Sequence, residues 1–440
     1  MSLVQRSIPI NRCTVRIMMA LLHPQFYFSM KFRSSILAIL TGILSVSGFS
    51  QTTPGIQFEH GTIAEIKAKA AQEKKLIFVD AYTSWCGPCK WMAKAAFPLP
   101  EVGQFYNANF INAKIDMEKG EGIELAKLHS VTMYPTLLFL NAEGAVVHRT
   151  VGARDGKDLI ELGKIALNPD LNLAGLAMKF KGNPSSFPAA YSYLAALRDA
   201  ESTDQKAAFD EYIATQDKST WINLPNWRIL FDFVRNAENP LFMHFLENRE
   251  AFTAKYSADS VNSKLKEVYY GELKEAANYQ DAVRFTKSKE SIRKLNLQGS
   301  DKVISESEIA YAGENLELMA QKIVDHMNRF GSSNPDELNE YAWRMFEISI
   351  HKPHLQLAEG WAKKGAELAP GNSAVIDTYA NLLFKNGKKA EAKVQAEKAI
   401  QVGEKLGSDV SGTKTLLEEI NASLKATVKK APSVKKAVKK

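Results

Sequence analysis

Cys86 and Cys89 stand three apart in the run Trp85-Cys86-Gly87-Pro88-Cys89-Lys90. A thiol pair at this spacing either cycles between dithiol and disulfide or supplies half of a zinc site. Structural zinc takes four ligands. The chain's third cysteine, Cys13, lies far upstream, and the histidines nearest in sequence, His60 and His129, are not at ligand spacing. The pattern therefore favours redox chemistry. A second candidate metal pair, His351 and His354, flanks Pro353 and reads as a turn between helices.

The elements around the pair support that chemistry. Lys75–Asp80 (KLIFVD) is a short, nearly all-apolar strand of the buried type. Cys86–Ala96 reads as a helix that opens at the first cysteine. Helix N-termini carry partial positive charge and free N–H groups, which favour a thiolate and make Cys86 the nucleophile. Cys89 then falls one turn on, close enough to close a small disulfide ring. Pro88 has no N–H to lose in a first turn, and Gly87 keeps side chains clear of the attacking sulfur. Helices are expected over Ile63–Glu73, Pro100–Asn107, Gly122–Ser130 and Asp155–Leu167. Further strands are expected over Phe110–Asp116, Thr136–Leu140 and Ala145–Thr150, the last two joined by the turn 141–144. Strands separated by helices, then a hairpin, then a helix, predict an α/β domain with a central sheet covered on both faces.

Residues 56–168 resemble the thioredoxin family. Besides the CGPC pair, Asp80 lies six residues before Cys86, where that family keeps a buried carboxylate behind the second cysteine. Tyr134-Pro135-Thr136 is similar to its cis-proline loop, and Val151-Gly152-Ala153 to the glycine loop that completes its substrate groove. The resemblance implies a redox-active Cys86–Cys89 disulfide, proton transfer by Asp80, a rim formed by Trp85, and a substrate groove at Tyr134, Pro135 and Gly152. No metal and no organic cofactor are implied. The spacing of Phe97, Pro100, Glu101 and Val102 is most similar to exported members, such as the periplasmic reducing domain of transmembrane electron conductors. The stretch from Cys89 to Pro135 is longer than in a minimal thioredoxin, with extra residues around 97–104 and 118–122. The family's lysine near the buried carboxylate maps to Lys114 or to Asn112.

From about 170 onward strands vanish and Ala, Glu, Lys and Leu recur at helical spacing. Trp227, Leu230, Phe231 and Val234 mark one face of a helix, read as core packing. Tyr341-Ala342 with Met345-Phe346 is echoed by Tyr379-Ala380 with Leu383-Phe384, and Ala358 and Ala362 by Ala392 and Ala396. With Gly387 at a turn, residues 335–405 resemble tetratricopeptide repeats. An all-α helical-repeat region is therefore expected after the α/β domain.

The net charge of +7 over 440 residues sits at the ends. Residues 1–50 hold five basic residues and no acid, and the last 20 hold seven lysines and no acid, so the body between is mildly acidic. No nucleic-acid partner is expected. Met30-Lys31-Phe32-Arg33, the apolar run Ile36–Val46 and the small residues Gly48 and Ser50 read as a secretory signal cut before Gln51. That predicts an exported, periplasmic protein and removes Cys13. The expected layout is a targeting segment at 1–50, a thioredoxin-like domain at 51–169, helices at 170–334, tetratricopeptide-like repeats at 335–420 and a disordered lysine-rich tail at 421–440. The expected function is a thiol–disulfide oxidoreductase that reduces protein disulfides. A membrane thiol donor would supply its electrons, and its helical half would bind protein partners. The competing readings are a disulfide oxidase or isomerase, and a helical scaffold with an incidental or regulatory redox pair.

Overall fold

The computed structural model of the chain describes residues 55–429; the leader read at 30–50, Cys13 and the end of the lysine tail lie outside them. The α/β half runs α1 (Ile63–Glu73), β1 (Leu76–Tyr82), α2 (Gly87–Ala95), α3 (Pro100–Asn109), β2 (Phe110–Asp116), α4 (Glu121–Leu128), β3 (Thr136–Leu140), β4 (Val146–Val151) and α5 (Gly156–Leu167). The sheet order is β2-β1-β3-β4, with β1 and β2 parallel and the other pairs antiparallel. This is the mixed sheet with helices on both faces that the thioredoxin-like pattern predicts.

Each boundary has a local cause. Thr62 caps α1 in a reciprocal box with Glu65, and Lys74 ends it in the left-handed conformation. Asp155 caps α5 through the Asp158 N–H. β1 is buried on both faces from Ile77 to Ala81 because it lies inside the sheet. Side chains alternate along a strand. Ile77, Val79 and Ala81 therefore join the layer containing Ile66, Ile111 and Leu125. Phe78 faces the other way, into the layer containing Met92, Tyr106, Phe110, Phe139 and Leu159. Phe78 meets Tyr106 edge-on at 4.7 Å and Phe139 at 5.2 Å. Asp80 shares the Phe78 side of β1, the side on which Met92 of α2 packs.

The second half is helical: α6 (Leu173–Gly182), α7 (Phe187–Asp199), α8 (Asp204–Ala214), α9 (Leu224–Phe233), α10 (Pro240–Glu247), α11 (Arg249–Tyr256), α12 (Ala258–Asn278), α13 (Ala282–Leu295), α14 (Ser300–Tyr311), α15 (Leu316–Phe330), α16 (Pro335–Ile348), α17 (Lys352–Leu368), α18 (Ser373–Lys385), α19 (Lys389–Leu406) and α20 (Ser411–Lys429). Trp227, Leu230 and Val234 are buried, and Trp227 stacks on Tyr256 at 4.7 Å. The aromatic stripe is core. Lys264 is fully buried and closes the end of α9, donating to the carbonyls of Phe231 (2.9 Å) and Val234 (2.5 Å) and to Glu267 (2.8 Å). Burial lowers its pKa to about 8 against the upward pull of Glu267. In the α16–α17 and α18–α19 hairpins, Ala342, Ala358, Ala362, Ala380, Ala392 and Ala396 are all fully buried, which lets the helices approach closely. Gly387 makes the second turn at φ +84°. α20 continues to Lys429, so the chain stays helical beyond residue 421, where the tail is expected to start.

The two halves meet along the edge strand β4, against which α6 and α7 pack. The Leu173 N–H, at the start of α6, donates to Nδ1 of the buried His148 (3.3 Å), and Thr150 Oγ1 donates to the Asp199 carbonyl (3.2 Å). The joint is tight. Asn172 donates to the Ala166 carbonyl and accepts from the Gly175 N–H. A Cβ at Gly175 would lie 1.6 Å from the Pro169 oxygen, so only glycine fits.

Candidate active site

Cys86 is the N-cap of α2. Its backbone is extended (φ −65°, ψ 112°), and its Sγ accepts the Cys89 N–H at 3.1 Å. The residue's own N–H donates to the Thr83 carbonyl at 3.3 Å, and its carbonyl accepts the Lys90 N–H. Cys86 and Cys89 are joined in a disulfide, with Cα atoms 5.3 Å apart. Pro88 sits in the first helical turn, where its missing N–H strands nothing. A Cβ at Gly87 would meet nothing within 4 Å, which leaves open space beside the pair. Both cysteines are only 2% exposed in this oxidised form. The leading cysteine is thus less accessible than the sequence pattern suggests.

Asp80 is completely buried. The parallel register of β1 and β2 sets it opposite Lys114, whose Nζ is 3.2 Å from Oδ2. Oδ1 has no hydrogen-bond partner among the described residues. Burial raises the Asp80 pKa and the neighbouring ammonium opposes the rise. Lys114 is held in an aromatic cage, 4.8 Å from the Tyr82 ring, 5.3 Å from Phe97 and 5.9 Å from Phe58. Asn112, the other candidate for that lysine position, pairs with Phe78 in the register, and its amide reaches Gln57 and Asn107.

The Tyr134–Pro135 peptide is cis. The Gly152 N–H donates to the Pro135 carbonyl at 2.8 Å, which ties the two loops together, and Gly152 holds φ +95°. Trp85 is 63% exposed and packs edge-on against Tyr134 at 5.9 Å. Its indole N–H donates to both carboxylate oxygens of Glu118 at 3.0 Å. Glu118 comes from the longer stretch after β2. Its role escapes the sequence because nothing in the spacing shows that this loop folds back onto the tryptophan. His351 and His354 are apart from this site: His351 Nε2 lies 2.9 Å from Glu317, and His354 Nδ1 lies 3.4 Å from Ser349 Oγ.

The thioredoxin family model matches residues 58–164. Thioredoxin-1 of Saccharomyces cerevisiae is 37% identical over 92 residues, covering 21% of this chain and 82% of that protein. The chain belongs to the thioredoxin family. The thiol:disulfide interchange protein DsbD of Tatumella citrea is 29% identical over 120 residues, and the match spans 25% of this chain and 21% of DsbD. Among solved structures, a candidate disulphide isomerase from Bacteroides thetaiotaomicron is 46% identical, covering 26% of this chain and 96% of that one, with a TM-score of 0.25. The thioredoxin domain carries the dithiol pair of the family's thiol–disulfide oxidoreductases, and the helices after residue 170 lie outside the family match.

Proposed function

We propose that this chain is an exported reductase of protein disulfides. The observation that carries the reading is the placement of Cys86. Its sulfur already accepts a helix N-terminal N–H, the group that stabilises a thiolate. The Gly87-Pro88 pair and the similarity to DsbD support the reducing direction and a membrane thiol donor.

The reduced domain acts in two steps. Cys86 thiolate attacks one sulfur of a client disulfide; that bond breaks, a mixed disulfide forms, and the client's other sulfur leaves and takes a proton. Cys89, deprotonated with Asp80 as the acceptor, then attacks Cys86. The second client sulfur leaves as a thiol, and the domain keeps the Cys86–Cys89 disulfide. Two electrons have passed to the client, and the membrane donor returns them by the reverse exchange. The raised pKa of Asp80 suits it to accept a proton near neutral pH. The loops at Pro135 and Gly152 hold the client segment as an added strand, with Trp85 and Tyr134 as its rim. The electrons reside on sulfur, so no organic cofactor takes part.

Under this proposal the chain divides at 169/170 and at 334/335. In this reading the α16–α19 hairpins, with their paired alanines, are tetratricopeptide-like and offer a surface for protein partners. Nucleic acid is not a partner.

Insulin-disulfide reduction tests the chemistry: Cys86→Ala abolishes turnover, and Cys89→Ser accumulates a mixed disulfide with discrete clients. Full turnover by Cys86→Ala overturns the mechanism. The direction rests on the couple's potential. A value of about −270 mV agrees with a reductase, whereas one of about −120 mV makes the protein an oxidase.

A further inference from the structure

The helical half contains a second chemically distinct cluster. Glu306 on α14, His326 on α15 and Glu337 on α16 each offer one ligand atom, and the three atoms lie within 4.8 Å of one another. His326 is fully buried, with Phe330 and Tyr341 rings each at 5.2 Å. Its Nδ1 is 3.1 Å from Ser305 Oγ. Its Nε2 is buried with no hydrogen-bond partner among the described residues. An imidazole nitrogen left unpaired in the interior is costly, and most buried polar atoms are satisfied.

The two carboxylates already gather positive charge. Lys302 Nζ lies 2.9 Å from Glu337 and 3.9 Å from Glu306, and the Ser332 hydroxyl donates to the other Glu337 oxygen at 2.6 Å. The Lys302 side chain is 40% exposed, so it can swing into water. Glu306 and Glu337 open onto a groove shared with Lys274, Tyr341 and Arg344.

We propose that Glu306, His326 and Glu337 form a site for a divalent first-row transition-metal ion of the zinc type, which displaces the ammonium of Lys302. One imidazole and two carboxylates are ligands that suit such ions, and the imidazole disfavours calcium and magnesium. The Ser305 hydroxyl supplies the outer contact that orients a ligating histidine. Loading would tie three consecutive helices together. The site is independent of the redox reaction.

The test uses the full chain carrying Cys13→Ser, stripped with chelator and with the Cys86–Cys89 disulfide closed so that no thiolate competes. Zinc chloride is titrated by calorimetry and cobalt chloride by visible absorption. One ion binds per chain, and zinc raises the melting temperature. Glu306→Gln and His326→Gln each weaken binding by about tenfold or more. Lys302→Met, which removes the competing cation, tightens it. Glu306 is only partly buried, so its variant keeps the fold even where His326→Gln does not. The absence of saturable binding overturns the proposal, as does zinc affinity that Glu306→Gln and Lys302→Met leave unchanged. Magnesium binding as tight as zinc does so too.

Discussion

Asp80 and Lys114 face each other across two parallel strands, with the ammonium 3.2 Å from a carboxylate that is otherwise sealed in the core. The pair is asymmetric. The carboxylate has no exposure, while the lysine side chain keeps about a quarter of its surface in water. Burial dominates and the Asp80 pKa is raised.

Because the folded pKa of Asp80 lies above its unfolded value, the proton it retains stabilises the fold below the unfolded pKa. That contribution is lost as pH rises through the folded pKa. Asp80→Asn removes the buried charge and is expected to raise the melting temperature at neutral pH. Under the proposed mechanism the same change removes the proton acceptor, and disulfide reduction at pH 7 should fall by about 100-fold. A variant that is more stable and fully active would show that Asp80 handles no proton. Lys114→Met should push the Asp80 titration further up, visible as a displaced pH–rate profile.

Glu118 holds the indole of an exposed tryptophan at the mouth of the site. Glu118→Gln turns a charge-assisted bond into a neutral one, a loss of about 1 kcal/mol. We expect a higher KM for protein disulfides, unchanged turnover of a small aromatic disulfide, and altered fluorescence on reduction. An equal loss with both substrates would place Glu118 in the chemistry instead.

His148 belongs to the seam between the halves. Its Nδ1 must be unprotonated to accept the Leu173 N–H, and burial lowers its pKa to about 4 from 6.5. The unfolded chain binds this proton first. The stability is therefore complete above pH 6.5 and is lost as pH falls through 4, a change of roughly 3 kcal/mol. Urea denaturation at pH 7 and pH 4 measures it, and His148→Asn should flatten the difference.

Lys264 serves two backbone carbonyls from inside the core. Lys264→Met removes three hydrogen bonds and leaves the Phe231 and Val234 carbonyls and Glu267 to Arg235 alone, at about 1 kcal/mol for each bond lost. For the native residue the depressed pKa means that the unfolded chain binds the proton more tightly. Its charge therefore costs stability below pH 8, and that cost fades between pH 8 and 10.5. A melting curve that is flat across that interval would contradict the assignment.

Much of the α/β half was legible because its signals are local. The apolar run at β1, the cap at Cys86, the turn at 141–144 and the period of α1 each announce an element within a dozen residues. The lysine partner of Asp80 was not legible, since choosing between Asn112 and Lys114 needs the β1–β2 register, which pairs two strands some thirty residues apart. Trp85–Glu118 was hidden for the same reason: a loop's return path depends on tertiary packing. The cluster at Glu306, His326 and Glu337 spans three helices whose mutual rotation no periodicity gives. The helix expected to open at Cys86 begins at Gly87 with Cys86 as its cap, and the burial of the cysteine is a tertiary property that local spacing does not carry.

The Asn172 and Gly175 knuckle makes the redox half a fixture rather than a head on a tether. A client docked on α6 or α7, which pack on β4, would be held beside the redox half, so reach and not only sequence would select it. Cutting the chain near residue 168 would bare the flank of β4 and the His148 ring, and the liberated piece would tend to self-associate through that strand.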